Sequence, residues 1–272
     1  MITQSYLESG SKAITTNSYG ITPGVGFELE EIRSLCAISG RLAREAVDEF
    51  AGIESEKKYI LGSLGPLNGS YRPDKILSHQ EGLQTYSIIA SSLAPYVDCF
   101  IAETMSCYEE AIQAMHAVGH LDVPSNRSII VSYTLGSEGK LRDGEEAISA
   151  ITRTIRESED SQVELLGVMF NCCEPESITK AYDSISQDME LVRKLESRKI
   201  LLGAYANRLT PVEPGWDMET SNGPQPFRND VTPEEYFQKF VSNWMKFSRV
   251  KLIGGCCGIT PEHISYLRKS LP

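Results

Sequence analysis

The sequence predicts a parallel α/β fold of the (β/α)8 TIM-barrel type, one domain over residues 1–272 in which seven strand–helix units are visible. Three observations predict it. Short runs rich in β-branched and apolar residues recur seven times; each is followed by a segment of helical period; and most of the runs stop at polar or small residues. The runs are 13–16, 59–64, 97–102, 129–133, 165–170, 200–205 and 250–253. They are nearly continuous in apolar residues, as parallel strands buried on both faces should be.

The helices between them are readable as stripes. Ala147, Ile148, Ile151 and Ile155 form one apolar face, and Ile178, Ile185, Met189, Val192 and Leu195 a second. Tyr236, Phe237, Phe240, Val241 and Trp244 form a third, and Thr260-Pro261 reads as the N-cap and first turn of the last helix. Residues 210–230, rich in Pro and Gly, read as a long loop after the sixth run, and a loop of that length in a compact domain is usually functional or disordered. A closed barrel of this class needs eight strands. Seven leave open edges at 13–16 and 250–253, with unpaired backbone donors and acceptors. The expectation is a chain that is inactive or poorly soluble alone, unless another chain or a rearranged segment covers the gap.

Composition narrows the function classes. The 272 residues are 41% hydrophobic and 23% charged, enough for a core that needs no disulfides. A net charge of −11 argues against a nucleic-acid footprint, which needs a basic stripe. No run of about 18 apolar residues crosses a membrane, and the opening residues have neither a basic leader nor an apolar stretch. A cytoplasmic protein acting on small molecules is expected, with homo-oligomers left open.

The seven cysteines carry the most information, because four of them sit in two adjacent pairs. Cys172-Cys173 follows Asn171 at one strand end, and Cys256-Cys257 sits between glycines at another. Only a fold whose strand ends return to one rim can bring these pairs together. Adjacent side chains in a strand point to opposite faces, so Cys256 and Cys257 can share an ion only where the strand has ended. Three thiolates with one open position is the pattern of a catalytic zinc, whereas four protein ligands close a structural one. Cys36, Cys99 and Cys107 read as small buried hydrophobes. Residue physics alone does not choose between Cys172 and Cys173. Glu103, a carboxylate ending an apolar run, reads as a substrate-ammonium contact, with a buried arginine pair as the alternative. Asn17 and Asn207 are weaker strand-end candidates for substrate binding, because asparagine is common in turns.

The motif 254–258 (Gly-Gly-Cys-Cys-Gly), followed by Thr260-Pro261-Glu262-His263, resembles the zinc signature of the homocysteine S-methyltransferases. Gly167-Val168-Met169-Phe170-Asn171-Cys172 is similar to that family's other ligand strand, with Met169 and Phe170 inserted between Val168 and Asn171. Further similarities are Thr15-Thr16-Asn17-Ser18-Tyr19, Gly62-Ser63-Leu64-Gly65-Pro66, Ala102-Glu103-Thr104 and Tyr205-Ala206-Asn207. The resemblance spans nearly the whole chain. It implies zinc held by Cys172, Cys256 and Cys257, the Asn-Cys match selecting Cys172 over Cys173, and Glu103 on the amino group of homocysteine. It implies methyl transfer from a sulfonium or quaternary ammonium donor. S-methylmethionine comes first, because Tyr19 is followed by Gly20 where betaine-dependent members carry a second tyrosine. Tyr71 and Trp216 are candidates for an aromatic face against a cationic donor. The Asp-Gly-Gly strand that opens the family pattern has no match, and residues 1–10 resemble the helix that follows it. Two rival readings are a homocysteine-activating module of a corrinoid- or pterin-linked methyltransferase, and a non-catalytic zinc-binding paralogue.

Overall fold

The computed structural model describes residues 2–51, 56–122, 127–161, 163–211 and 225–271. Seven strands occupy the seven apolar runs: β1 (Ala13–Thr15), β2 (Tyr59–Leu64), β3 (Cys99–Met105), β4 (Ser128–Tyr133), β5 (Glu164–Asn171), β6 (Leu201–Tyr205) and β7 (Val250–Ile253). They form one sheet in chain order, with every pairing parallel. Helices alternate with them: α1 (Ile2–Glu8), α2 (Leu29–Ala51), α3 (His79–Leu93), α4 (Tyr108–Gly119), α5 (Ala147–Asp160), α6 (Pro175–Gln187), α7 (Met189–Ser197) and a last helix, Pro261–Ser270.

Alternation along the strands divides the apolar residues between two cores. Phe100, Ala102, Ile129, Val131, Val168 and Phe170 face outward and pack under the helices. Ile101, Ile130 and Met169 face inward, joined by Leu61, Tyr205 and Leu252. That inner cluster exists because the sheet curls: it is a barrel wall with one unit missing. The same alternation puts Ser63, Glu103, Ser132 and Asn171 two positions further along the inward face, as a buried polar layer above the apolar one.

Four local expectations are corrected. The run 97–102 does not stop before Glu103; β3 continues to Met105 through a register shift between Ala102 and Met105 that holds Glu103 and Thr104. The first run likewise ends one residue early, at Thr15. The stripe from Ile178 to Leu195 belongs to two helices, because Asp188 (φ −89°, ψ 88°) leaves the helical region and its carboxylate caps the Glu190 and Leu191 amides. Met189, first residue of the second helix, is therefore 56% exposed rather than on the apolar face. The third stripe is π-helical over Tyr236–Val241, a slip that turns Tyr236 toward the strand ends.

Among the described residues β1 pairs only with β2, and β7 only with β6. The seam between them is bridged from outside. Helix α1 packs on α2, β1 and the last helix, and the Tyr6 hydroxyl donates to the Ile259 carbonyl at 2.7 Å.

One buried carboxyl predicts how stability follows pH. Glu110 on α4 is 3% exposed and accepts from the Leu67 amide at 3.1 Å. Burial pushes its pKa up to about 7. A folded pKa above the unfolded value means the contribution is full below the ordinary carboxylate range and lost as pH rises through about 7. Thermal melts should therefore show stability falling between pH 5 and 8 by up to about 3 kcal/mol. Glu110→Gln should flatten that slope; an unchanged slope would contradict the assignment.

Candidate metal centre

The centre is built on Asn171, the last residue of β5. Its Oδ1 accepts from the Thr104 amide at 2.9 Å and the Ser132 hydroxyl at 2.7 Å, and its Nδ2 donates to Thr104 Oγ1 at 2.8 Å. One buried amide thus joins β3, β4 and β5. The chain then turns: Cys172 adopts φ 48°, in the left-handed region, with its amide on the Tyr205 carbonyl. Its own carbonyl accepts from Thr134 Oγ1 at 3.2 Å. The Tyr71 hydroxyl lies 3.0 Å from both that carbonyl and Cys172 Sγ, so one proton is shared between them.

Left-handed geometry is costly outside glycine, roughly 1–2 kcal/mol per residue. Of the four described non-glycine residues with positive φ, three meet here: Tyr71 (64°), Thr104 (63°) and Cys172 (48°). Strain of this kind persists where surrounding bonds over-determine the backbone, and it clusters at functional sites.

Cys256 and Cys257 lie past the end of β7, in a turn completed by Gly258 at φ 81°. A Cβ at Gly258 would stand 2.9 Å from the Phe227 ring and 3.0 Å from Arg208 Cβ, so a larger residue would meet both strain and collision. The neighbouring β6 segment positions the turn. The Cys256 amide donates to the Ala206 carbonyl (2.9 Å), and the Arg208 amide donates to the Cys257 carbonyl (2.8 Å). The Tyr236 hydroxyl accepts from the Ala206 amide (3.1 Å) and donates to the Gly254 carbonyl (2.9 Å), tying the two strand ends together.

The result is one cluster of three thiols. Cys172 and Cys257 sulfurs are 3.6 Å apart, Cys256 and Cys257 are 4.0 Å apart, and all three lie within 4.8 Å of one another. Tetrahedral zinc with bonds of about 2.3 Å to sulfur requires sulfurs separated by about 3.8 Å. The donor set fits that ion. Hydrogen bonds from Cys172 and Cys256 hold the Cys257 thiol well below the ordinary thiol range. The partnership with Cys172 pushes Cys256 upward. Three adjoining thiols ionise together only when a cation offsets their repulsion. Cys172 is buried and Cys257 exposed, so the cluster opens toward the barrel mouth.

Geometry also separates the adjacent cysteines. Cys173 is 1% exposed and packs in the outer core, where burial pushes its thiol up to about 12. Cys36, Cys99 and Cys107 are buried as expected. Cys107 does meet Glu109 and Asp143, but those carboxylates already serve Arg153 and the Glu145 amide.

Glu103 stands on the inward face, 8% exposed. It accepts from the Ser63 hydroxyl at 2.5 Å and from the Tyr205 hydroxyl at 3.1 Å. Burial raises its pKa, and among the described residues no cation pairs with it. The arginine-pair alternative is not what the fold contains. Asn17 is exposed after β1, while its neighbours Thr16 and Ser18 bind the Ser63 backbone and so brace the Glu103 partner. Asn207 is 3% exposed, and its Oδ1 accepts from the Leu209 amide in a turn. His263 does not touch the cluster. It is a buried neutral cap, its Nε2 on the Val231 carbonyl and its Nδ1 on Thr260. Trp216, and residues 212–224 of the long loop, lie outside the described residues. Ser63, Ser132 and Tyr205 had no assigned role in the sequence, although the period of two along each strand marks Ser63 and Ser132 as inward-facing; Tyr71, read there as an aromatic face, lies against Cys172.

The family model described as homocysteine S-methyltransferase matches residues 1–271. The chain belongs to the homocysteine S-methyltransferase family. A curated relative is the methionine synthase of Mycobacterium tuberculosis, 25% identical over 97% of this chain. The match covers 20% of that much longer protein. Among solved structures, the homocysteine methyltransferase MmuM of Escherichia coli in metallated form aligns with TM-score 0.69 at 21% identity, over 99% of this chain and 83% of its own. Its oxidized form aligns at TM-score 0.70 and 20% identity, over 99% and 82%. These two share the fold.

Replacing Asn171 by Ala should leave the Thr104 amide and the Ser132 hydroxyl without their acceptor in a buried layer. The expected cost is about 2–4 kcal/mol in urea unfolding. A loss below about 1 kcal/mol would show that the clasp does not hold the strands.

Proposed function

We propose that this chain transfers a methyl group from a sulfonium or quaternary ammonium donor, S-methylmethionine first, to the thiol of homocysteine, forming methionine. The observation that carries the reading is the cluster of Cys172, Cys256 and Cys257, which offers three sulfurs at zinc spacing and an open side. Zinc bound there leaves room for a fourth sulfur and favours its thiolate, where a free thiol of pKa about 8.5 is only a few per cent ionised at neutral pH.

The remaining groups orient the substrate. Glu103, desolvated and with no cation partner among the described residues, is the complement of the homocysteine ammonium, and the Ser63 and Tyr205 hydroxyls fix both of its oxygens. Asn17 and Asn207, just beyond the ends of β1 and β6, would add polar contacts to the substrate, Asn207 through its amide nitrogen, since its oxygen holds the turn. The homocysteine sulfur then attacks the donor methyl carbon in line. The carbon–sulfonium bond breaks, its electron pair stays on the departing sulfur, and the leaving group departs as a neutral thioether. No general acid is required, which agrees with His263 serving as a neutral cap. The proton of homocysteine is lost to solvent on binding.

A second reading is favoured by the length relation to methionine synthase: homocysteine activation for a methyl group carried by a corrinoid or pterin. Methionine formed from S-methylmethionine by the purified chain supports the first reading. Turnover with methylcobalamin alone supports the second. Neither would leave a non-catalytic zinc protein.

Metal analysis should find one zinc per chain, lost in Cys172→Ser and Cys256→Ser and kept in Cys173→Ser. Full zinc retention in Cys256→Ser would sink the ligand assignment. Glu103→Ala should raise the KM for homocysteine about ten- to a hundredfold while zinc content holds. An unchanged KM with lowered stability would make Glu103 structural instead.

A further inference from the structure

We propose that Arg142 is a carboxylate-binding residue that selects a methyl donor bearing a carboxylate; the inference rests on the methyl-transfer reading of the same site. Arg142 follows the small loop beyond β4, anchored by the buried Leu135 and Leu141 and by the Leu141 amide on the Glu145 carbonyl. Its guanidinium lies over the Tyr71 ring, 4.7 Å from the centroid, and the Tyr71 hydroxyl is 3.0 Å from Cys172 Sγ. One phenol ring separates this cation from the thiol cluster.

The Arg142 Nε is buried with no hydrogen-bond partner, and among the described residues no acidic residue pairs with the group. The half-buried Arg44, Arg127, Arg208, Arg228 and Arg249 all donate to carbonyls or carboxylates. Glu174 and Cys173 feel the charge of Arg142 without bonding to it. A guanidinium with a desolvated donor and an unmatched charge is costly. The planar ligand that answers it is a carboxylate, which can take two parallel hydrogen bonds.

Homocysteine cannot be that ligand while its ammonium is on Glu103. The ammonium and carboxylate share one carbon, whereas Glu103 contacts Ser63 and Tyr205 and Arg142 contacts Tyr71, with no residue in common. The carboxylate therefore belongs to the second substrate. An amino-acid sulfonium and a betaine both carry one, and Tyr71 supplies the aromatic surface beside their cationic head.

The test is binding, so it does not depend on turnover. Zinc-loaded wild type, Arg142→Met and Arg142→Lys are titrated by calorimetry with two ligand pairs: S-methylmethionine against its amide, and glycine betaine against tetramethylammonium. Wild type should prefer the carboxylate member of one pair about ten- to a hundredfold, and that pair identifies the source. Arg142→Met, which keeps the packing on Tyr71, should lose the preference, Arg142→Lys should keep part of it, and homocysteine affinity and zinc content should not move. Equal binding within both pairs by wild type would overturn the proposal. So would an undiminished preference in Arg142→Met, or a fall in homocysteine affinity in its place. If the preference behaves as expected but no methionine forms, the methyl-transfer reading fails while the carboxylate site stands.

Discussion

Everything at the mouth of this barrel depends on the clasp made by Asn171. Its amide joins three strands through Thr104 and Ser132, and in doing so holds Thr104 in a left-handed conformation. That kink falls in the irregular stretch of β3 beside Glu103, whose carboxylate meets the hydroxyls of Ser63 and Tyr205. On the other side of Asn171 the chain turns at once into Cys172. The Glu103 carboxylate and the first sulfur are therefore set by one buried side chain, and an error at it would move both.

The second constraint is the seam. A barrel wall with β1 and β7 unpaired to each other ought to leave the Cys256–Cys257 turn poorly held, since among the described residues β7 pairs on one edge alone. The fold compensates from the other side. Ala206 and Arg208 grip the turn from β6, Tyr236 ties both strand ends through a π-helical slip, and Tyr6 on α1 reaches the Ile259 carbonyl across the gap. The rigidity of the turn comes from hydrogen bonds to its backbone rather than from sheet pairing on both edges.

Much of this was legible in the sequence, and the reasons differ by element. Strands β4 and β5 announce themselves because burial on both faces demands continuous apolar runs. The cysteine cluster is legible because strand ends converge in a barrel and glycines mark the turn. The bulge in β3 was not, since nothing in Ala102-Glu103-Thr104-Met105 distinguishes a strand end from a strand that continues past an irregularity fixed by Asn171, 67 residues away. The break at Asp188 was masked by an apolar periodicity that runs through it. Residue physics could not choose between Cys172 and Cys173, because the choice depends on the left-handed turn at Cys172. Tyr71 and Arg142 come from loops, whose side-chain meetings carry no periodic signal.

Three cysteine sulfurs form an open centre, and the proposed function puts the homocysteine sulfur at its remaining position. X-ray absorption at the zinc edge, on the zinc-loaded chain before and after adding homocysteine, decides whether that position is filled so. The expected result is three sulfur neighbours and one lighter atom at first, becoming four sulfurs near 2.3 Å once homocysteine is present. A spectrum that already shows four sulfurs, or one that homocysteine leaves unchanged, would contradict it.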